Sequence, residues 1–130
     1  MKKVFLDANI LYSNTARGLF IWLSKNGAIE IYWSKEAWEE AFSNFEEKNG
    51  LTEGLKFRTS MQKNAISSYP NNTVTLNPFT PVGLKDKDDE HILAAAKQTK
   101  ADFVITQDKI FLSENLNAHS IRAIKHALLF

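Results

Sequence analysis

Apolar and turn-forming residues alternate along this chain in a pattern that predicts strands separated by helices. The β-rich run KKVFLD (2–7) comes first. The segment TARGLFIWLSKNG (15–27) follows with helical spacing, Asn14 or Thr15 as its N-cap and Gly27 at its end. The first predicted unit is therefore a strand followed by a helix.

A second strand and helix follow directly. The segment AIEIYWS (28–34) alternates apolar and polar positions, as a half-buried strand does. Its last residue, Ser34, is the predicted N-cap of a helix over SKEAWEEAFSNFEEK (34–48), where apolar residues recur at helical spacing. Residues 52–69 have a weaker helical pattern, and PNN (70–72) predicts a turn.

The remaining chain continues this alternation. TVTL (73–76) predicts a short strand, and NPFTPVGLKDKD (77–88) predicts a loop because it contains two prolines. The alanine-rich segment DEHILAAAKQTK (89–100) predicts a helix, and DFVIT (102–106) predicts a strand. The C-terminal part predicts one more short strand around Ile121 and a final helix or turn.

Strands separated by helices favour a parallel sheet covered on both faces, because a parallel crossover usually contains a helix. We therefore predict an α/β fold with three α/β/α layers and a central, mainly parallel sheet. Ligands of such sheets bind outside the carboxyl ends of the strands. Asp7 ends the first predicted strand, and the sequence TQD brings Thr106 and Asp108 to the same edge.

Composition narrows the possible chemistry. The chain has 130 residues with 44% hydrophobic content, enough for one ordinary core, so a single domain over 1–130 is expected. It contains no cysteine, which excludes disulfides and thiolate metal sites and leaves oxygen or imidazole ligands. Neither a secretory leader nor an apolar run of 18 residues is evident, so we expect a soluble, cytoplasmic protein.

One acid is predicted to face inward on the alanine-rich helix. Asp89 shares its helical stripe with the apolar residues Ile92 and Ala96. Its neighbours Asp88 and Glu90 lie to the sides of that stripe and are interpreted as solvated, or as first-turn acids that the helix dipole favours.

A further candidate acid lies on the helix over 34–48. Glu40 falls on one strip with Ala37, Ala41 and Asn44, which are small enough to let a helix approach its neighbour closely. Other glutamates, among them Glu39, crowd the same helix, so the choice of acid stays open here.

Each of these acids also has a purely structural interpretation as a helix cap, a turn residue or a solvated side chain. A cluster of these acids needs a further explanation, because their charges repel. Unit like charges about 4 Å apart repel by roughly 4 kcal/mol at an effective dielectric of 20, so a cluster of carboxylates needs protonation or a cation. Hard oxygen ligands suit Mg²⁺ or Mn²⁺, which are the predicted cofactors.

Four segments carry a family resemblance. VFLDANIL, WEEAF, DDEHILAAA and ADFVITQD occur in the order and approximate spacing of PIN-domain ribonucleases, the fold of many VapC-type toxins. The resemblance covers nearly the whole chain, although the segment 50–81 has no feature that matches the family. Carried over by position, it implies an acidic quartet that also holds the metal, with two polar supporting residues: Asp7, Glu40, Asp89 and Asp108, supported by Asn9 and Thr106.

The resemblance implies metal-dependent hydrolysis of RNA phosphodiester bonds by the toxin of a type II toxin–antitoxin pair, with an antitoxin protein as a possible partner. Separately, core packing is the favoured interpretation of the apolar clusters LFIWL (19–23) and ALLF (127–130), and a homodimer face or a groove for an inhibitory peptide is the alternative.

Two other functions stay open. A PIN-like module without turnover would bind RNA or protein through the same fold. A receiver-like signalling domain also places an aspartate at a strand end, but its acidic pair is expected at the first strand, where this chain has Lys2 and Lys3. Dinucleotide-binding, P-loop and serine-hydrolase motifs are absent from the sequence.

Overall fold

The computed structural model describes residues 2–64, 73–114 and 122–124. In these ranges, helices and strands alternate as predicted, with two additional short helices. The elements, in chain order, are β1 (Lys2–Leu6), α1 (Ala8–Tyr12), α2 (Asn14–Lys25), β2 (Ile29–Ser34), α3 (Lys35–Asn49), α4 (Leu51–Asn64), β3 (Thr73–Val74), α5 (Lys87–Gln98), β4 (Phe103–Ile105), α6 (Lys109–Leu112) and β5 (Arg122–Ile124).

The strands form one parallel sheet in the order β3-β2-β1-β4-β5. β1 lies at its centre, where Val4 pairs with Ile31 of β2 and with Phe103 of β4. The prediction of a parallel α/β sheet is confirmed. Because β1 and β4 are adjacent and parallel, their carboxyl ends leave the sheet side by side.

Helices cover both faces of the sheet. Val4 and Leu6 of β1 pack into a core cluster with residues of α1 to α4, whereas Phe5 packs on the opposite face against α5 and α6. Alternate residues of a strand point to opposite faces, so the apolar run of β1 supplies both cores. The predicted three-layer α/β/α arrangement is confirmed.

Two helix starts differ from the prediction. The N-cap of α2 is Ser13, whose hydroxyl accepts from the Ala16 N–H at 3.3 Å, and neither Asn14 nor Thr15 has this role. The preceding helix α1 explains the difference: it has only five residues, too few to show helical periodicity, and the residue after it, Ser13, is both its C-cap and the N-cap of α2. Ser34 caps α3 as predicted, accepting from Ala37 at 2.9 Å.

The helix α5 begins two residues earlier than predicted, at Lys87, because the Asp86 side chain caps it by accepting from the Asp88 N–H. The interpretation of Glu90 as solvated is wrong. Glu90 is buried, and its carboxylate accepts from the backbone N–H groups of Val82 and Leu84. This side chain therefore anchors the loop that leads to Asp86.

Within LFIWL, Phe20 is buried but Trp22 is 61% exposed, so core packing does not account for the whole cluster. The predicted turn over 70–72, the end of the helix over 52–69 and the segment ALLF lie outside the described residues. No helix in the described ranges is long and apolar enough to span a membrane.

Candidate metal centre at the carboxyl edge of the sheet

Asp7 and Asp108 follow the two central strands. The Asp7 N–H continues the ladder by donating to the Ile105 carbonyl at 3.0 Å. Each acid then caps a short helix with one carboxylate oxygen: Asp7 Oδ1 accepts from Ala8 at 2.7 Å, and Asp108 Oδ1 accepts from Ile110 at 2.9 Å. The capping interpretation of Asp7 is therefore correct for one of its oxygens, and Asp108, which was interpreted as a turn residue, is also a helix cap.

A buried threonine joins these two acids. The Thr106 hydroxyl is fully buried, donates to Asp7 Oδ2 at 2.7 Å and accepts from the Asp108 N–H at 3.0 Å. Asn9 lies on the other side, where its amide donates to Asp7 Oδ2 and to Thr106 Oγ1, both at 3.4 Å, and accepts from the Gln107 N–H at 3.1 Å. The two predicted supporting residues thus fix the geometry of Asp7.

The N-cap and the first turn of α5 add Asp86 and Asp89 to this edge. One carboxylate oxygen each of Asp86, Asp89 and Asp108 lies within 4.8 Å of the others. Asp89 is only 3% exposed, and its Oδ2 has no hydrogen-bond partner among the described residues. A buried acceptor without a partner is costly, and the three oxygens lie close enough together that one cation could contact all of them.

The sequence interpretation missed Asp86 because it placed this residue in a loop. A usable signal was present: Asp86-x-x-Asp89 has the spacing of a capping box, in which the first residue caps the helix and the second lies in its first turn. That pattern starts the helix at Lys87 and brings both carboxylates to one end.

The structure brings Glu40, and not Glu39, to the candidate centre. Glu40 lines the cavity beside the acids, although much of its side chain is exposed. Partial desolvation and the charge of Asp7 raise the pKa of the Glu40 carboxyl. Glu39 points elsewhere and pairs loosely with Arg58, with 3.7 Å between Oε2 and the guanidinium nitrogen.

The acids share one open cavity of about 840 Å³. His91, to which the sequence interpretation gave no role, also lines it. Its Nδ1 is buried without a hydrogen-bond partner in the described part of the chain, and its charge favours ionisation of Asp7 and Glu40. The lining residues are Asp7, Ala8, Asn9, Tyr12, Glu40, Asn44, Glu47, Lys48, Asp86, Asp88, Asp89, His91, Ile92 and Asp108.

Crowding of the acids disfavours their ionised forms. Burial raises the pKa of Asp89 to about 7, and the charges of Asp108 and Asp86 add to the effect. Burial also raises the pKa of Asp7, against the opposing hydrogen bond from Thr106. A divalent cation would remove this repulsion, and the all-oxygen donor set of the carboxylates fits Mg²⁺ or Mn²⁺.

Comparison with known proteins agrees with this architecture. The chain is similar to the crystal structure of FitAcB from Neisseria gonorrhoeae, with a TM-score of 0.64, 14% sequence identity, and coverage of 95% of this chain and 98% of the other. At that identity the likeness supports the fold. Among curated proteins, no sequence relative matches. The family model described as PIN domain matches residues 3–110, which include all four acids of the predicted quartet. The chain therefore belongs to the PIN domain family.

Proposed function

We propose that this protein is a Mg²⁺- or Mn²⁺-dependent endoribonuclease, and that it acts as the toxin of a type II toxin–antitoxin pair. The observation that carries the proposal is the convergence of carboxylates from two strand ends and one helix start. Asp89 is the decisive member, because its buried carboxylate oxygen has no hydrogen-bond partner in the described part of the chain, and a cation would compensate for this.

Carboxylates of the cavity supply the proposed metal ligands. Asp7, Asp89 and Asp108 are the proposed metal ligands, Glu40 completes the predicted set, and the structure adds Asp86 as a neighbour of Asp89 and Asp108. A bound divalent ion would stabilise the negative charge that develops on the phosphate and would lower the pKa of an attacking water.

Other side chains of the site orient the Asp7 carboxylate and accept the proton of the attacking water. Thr106 and Asn9 each donate a hydrogen bond to Asp7 Oδ2, and Asn9 also donates to the Thr106 hydroxyl, which keeps the carboxylate preorganised. Glu40 lies at the open side of the cavity, where its carboxylate accepts the proton of the attacking water. The raised pKa of Glu40 makes it a better proton acceptor than an ordinary surface glutamate.

The proposed reaction is a hydrolysis. Water adds its oxygen to phosphorus, the bond from phosphorus to one ester oxygen breaks, and a proton passes to that leaving oxygen. One product ends in a phosphate and the other in a hydroxyl. No covalent enzyme intermediate is needed, because the water is the nucleophile.

The toxin assignment rests on the resemblance of the quartet and its flanking segments to VapC-type sequences. An antitoxin that inserts an arginine among the carboxylates would fit the acidic cavity, since a guanidinium pairs with two carboxylate oxygens at once. Homodimerisation and a cytoplasmic location belong to the same proposal.

The test is RNA cleavage by purified protein on a panel of transfer RNA, ribosomal RNA fragments and single strands, with Mg²⁺, Mn²⁺ or EDTA. Wild type is compared with Asp7→Asn and with the control Glu39→Gln, which alters an acid outside the cavity. We expect metal-dependent cleavage that Asp7→Asn abolishes and the control retains. Equal cleavage by wild type and Asp7→Asn would contradict the assignment, and metal binding without cleavage would favour a PIN-like module that lacks turnover.

A further inference from the structure

The cavity has a second wall that the acids do not explain. Tyr12 of α1 and Asn44 and Lys48 of α3 also line it, together with Glu47 of α3. Among the described residues that line the cavity, Lys48 is the single lysine or arginine. This wall combines an aromatic ring, an amide and an ammonium group, none of which a divalent cation requires.

The polar residues of this wall follow one strip of α3. Glu40, Asn44 and Lys48 are spaced four residues apart, so they lie on one helix face and all reach the cavity. At 1.5 Å per residue, Lys48 lies about 12 Å along the helix axis from Glu40. The strip therefore leads away from the acids and ends in a positive charge.

Tyr12 is held in place from both its ring and its backbone. The Phe45 ring meets it edge-on, with centroids 6.1 Å apart and an interplanar angle of 65°. Arg17 donates to the Tyr12 carbonyl at 3.2 Å and to the Leu11 carbonyl at 2.7 Å. The Arg17 guanidinium also lies over the Phe57 ring, 4.4 Å from its centroid. These contacts preorganise an aromatic side chain at the edge of a polar cavity.

The cavity is larger than a hydrated cation needs. Six water-sized ligands occupy about 180 Å³, at roughly 30 Å³ for each water. The cavity of about 840 Å³ leaves room for an organic group, and its volume falls within the range of about 300–1,000 Å³ that is typical of small-molecule sites.

We propose that Tyr12, Asn44 and Lys48 form a binding subsite for one unpaired nucleotide beside the scissile phosphate, an inference that rests on the proposed ribonuclease function. The base stacks on Tyr12, the Asn44 amide hydrogen-bonds to the base edge, and Lys48 binds a phosphate further along the strand. Stacking tolerates any base, whereas the Asn44 amide supplies a preference among bases.

The test is binding of a fluorescently labelled, single-stranded oligoribonucleotide, measured by anisotropy in the Asp7→Asn background so that the RNA stays intact. A second set of oligonucleotides carries one abasic position, moved along the strand. Tyr12→Leu removes the ring, and Tyr12→Phe restores it. Lys48→Gln removes the terminal charge, and Lys25→Gln is its control, because Lys25 is exposed at the end of α2 and does not line the cavity.

We expect Tyr12→Leu to weaken binding by about 5- to 150-fold, the measured range for loss of one stacked base, and Tyr12→Phe to retain affinity. One abasic position should weaken binding to the parent protein and have no effect on Tyr12→Leu. Lys48→Gln should reduce the slope of log affinity against log salt by about 0.7, whereas Lys25→Gln should leave it unchanged.

The subsite is refuted if Tyr12→Leu binds as tightly as its parent, if abasic positions affect both proteins equally, or if no oligoribonucleotide binds. These results are separable from failure of the proposed function. If binding depends on the base but wild type shows no metal-dependent cleavage, the subsite is supported and the proposed ribonuclease function is contradicted. If wild type cleaves RNA but Tyr12→Leu binds as tightly as its parent, the ribonuclease function is supported and the subsite is contradicted.

Discussion

Replacing Asp89 with asparagine should stabilise the metal-free protein at pH 8. Burial and the nearby charges of Asp108 and Asp86 raise the Asp89 pKa from 3.8 to about 7. The folded state therefore holds the Asp89 proton more tightly than the unfolded chain does. This contribution to stability is fully present below about pH 4 and is lost as the pH rises through about 7. An asparagine of the same shape does not ionise and avoids the loss.

The size of the effect follows from the pKa shift. A shift of about three units corresponds to about 4 kcal/mol in the free energy of unfolding, at 1.36 kcal/mol for each unit. Solvent in the open cavity screens part of the repulsion from the neighbouring carboxylates, so we expect a gain of about 2 kcal/mol for Asp89→Asn at pH 8.

The assay is urea unfolding followed by tryptophan fluorescence in EDTA, at pH 4 and pH 8. Asp88→Asn is the matched control, because Asp88 lies in the same helical turn but is exposed. Its replacement should cost a few tenths of a kcal/mol through the helix dipole. Mn²⁺ at pH 8 should then stabilise wild type and have much less effect on Asp89→Asn, because ligand binding to the folded state raises the unfolding free energy.

Two results would refute this reasoning. One is a stability difference between Asp89→Asn and wild type that is the same at pH 4 and pH 8. The other is destabilisation of the metal-free protein by Asp89→Asn at pH 8 to the same extent as by Asp88→Asn. Either result would mean that ionisation of Asp89 does not destabilise the folded protein.

Three further predictions concern the residues around the centre. Thr106→Val should lower metal-dependent cleavage about 10- to 100-fold and cost about 1–2 kcal/mol in urea unfolding, because Asp7 loses its 2.7 Å donor; unchanged cleavage would remove Thr106 from the site. Glu40→Gln should reduce the cleavage rate while Glu39→Gln retains it, and the opposite order would reassign the helix acid. Arg17→Met should lower the unfolding free energy by about 2–4 kcal/mol, because the carbonyls of Leu11 and Tyr12 lose the hydrogen bonds that Arg17 donates. A loss below about 0.5 kcal/mol in urea unfolding would contradict a stabilising role of these hydrogen bonds.

The elements that the sequence predicted best combine two independent signals. An acid follows each of the strands β1 and β4, with Asp7 directly after β1 and Asp108 three residues after β4. A buried strand followed by a carboxylate indicates the carboxyl edge of a parallel sheet. This pattern predicted Asp7 and Asp108 near one another. Asp89 was recognisable because it shares the buried stripe of an apolar helix.

The features that the sequence did not predict depend on packing or on very short elements. Choosing between Glu39 and Glu40 requires knowledge of the rotation of α3 about its axis, which the burial of Trp38 and Ala41 in the core cluster decides. Consecutive residues differ by about 100° around a helix, so a rotation of that size would exchange the two acids, and the spacing of residues in the sequence does not fix this rotation. The short helix α6, with only four residues, has no recognisable period.

The exposure of Trp22 shows a different limit. Its position in an apolar run favoured burial, but α2 turns this side chain to solvent while Phe20 enters the core. Hydrophobic content alone does not distinguish a core residue from an exposed one, because folded proteins keep much apolar surface. For this reason the homodimer face stays a prediction.

The most direct test of the candidate centre is the position of Mn²⁺ in crystals of the protein, located by its anomalous scattering. We expect a peak within about 2.0–2.4 Å of carboxylate oxygens of Asp7, Asp89 and Asp108, and loss of that peak in Asp89→Asn. A manganese ion bound elsewhere, or a protein that cleaves RNA in the presence of EDTA, would contradict the assignment of this acidic cluster as the metal centre.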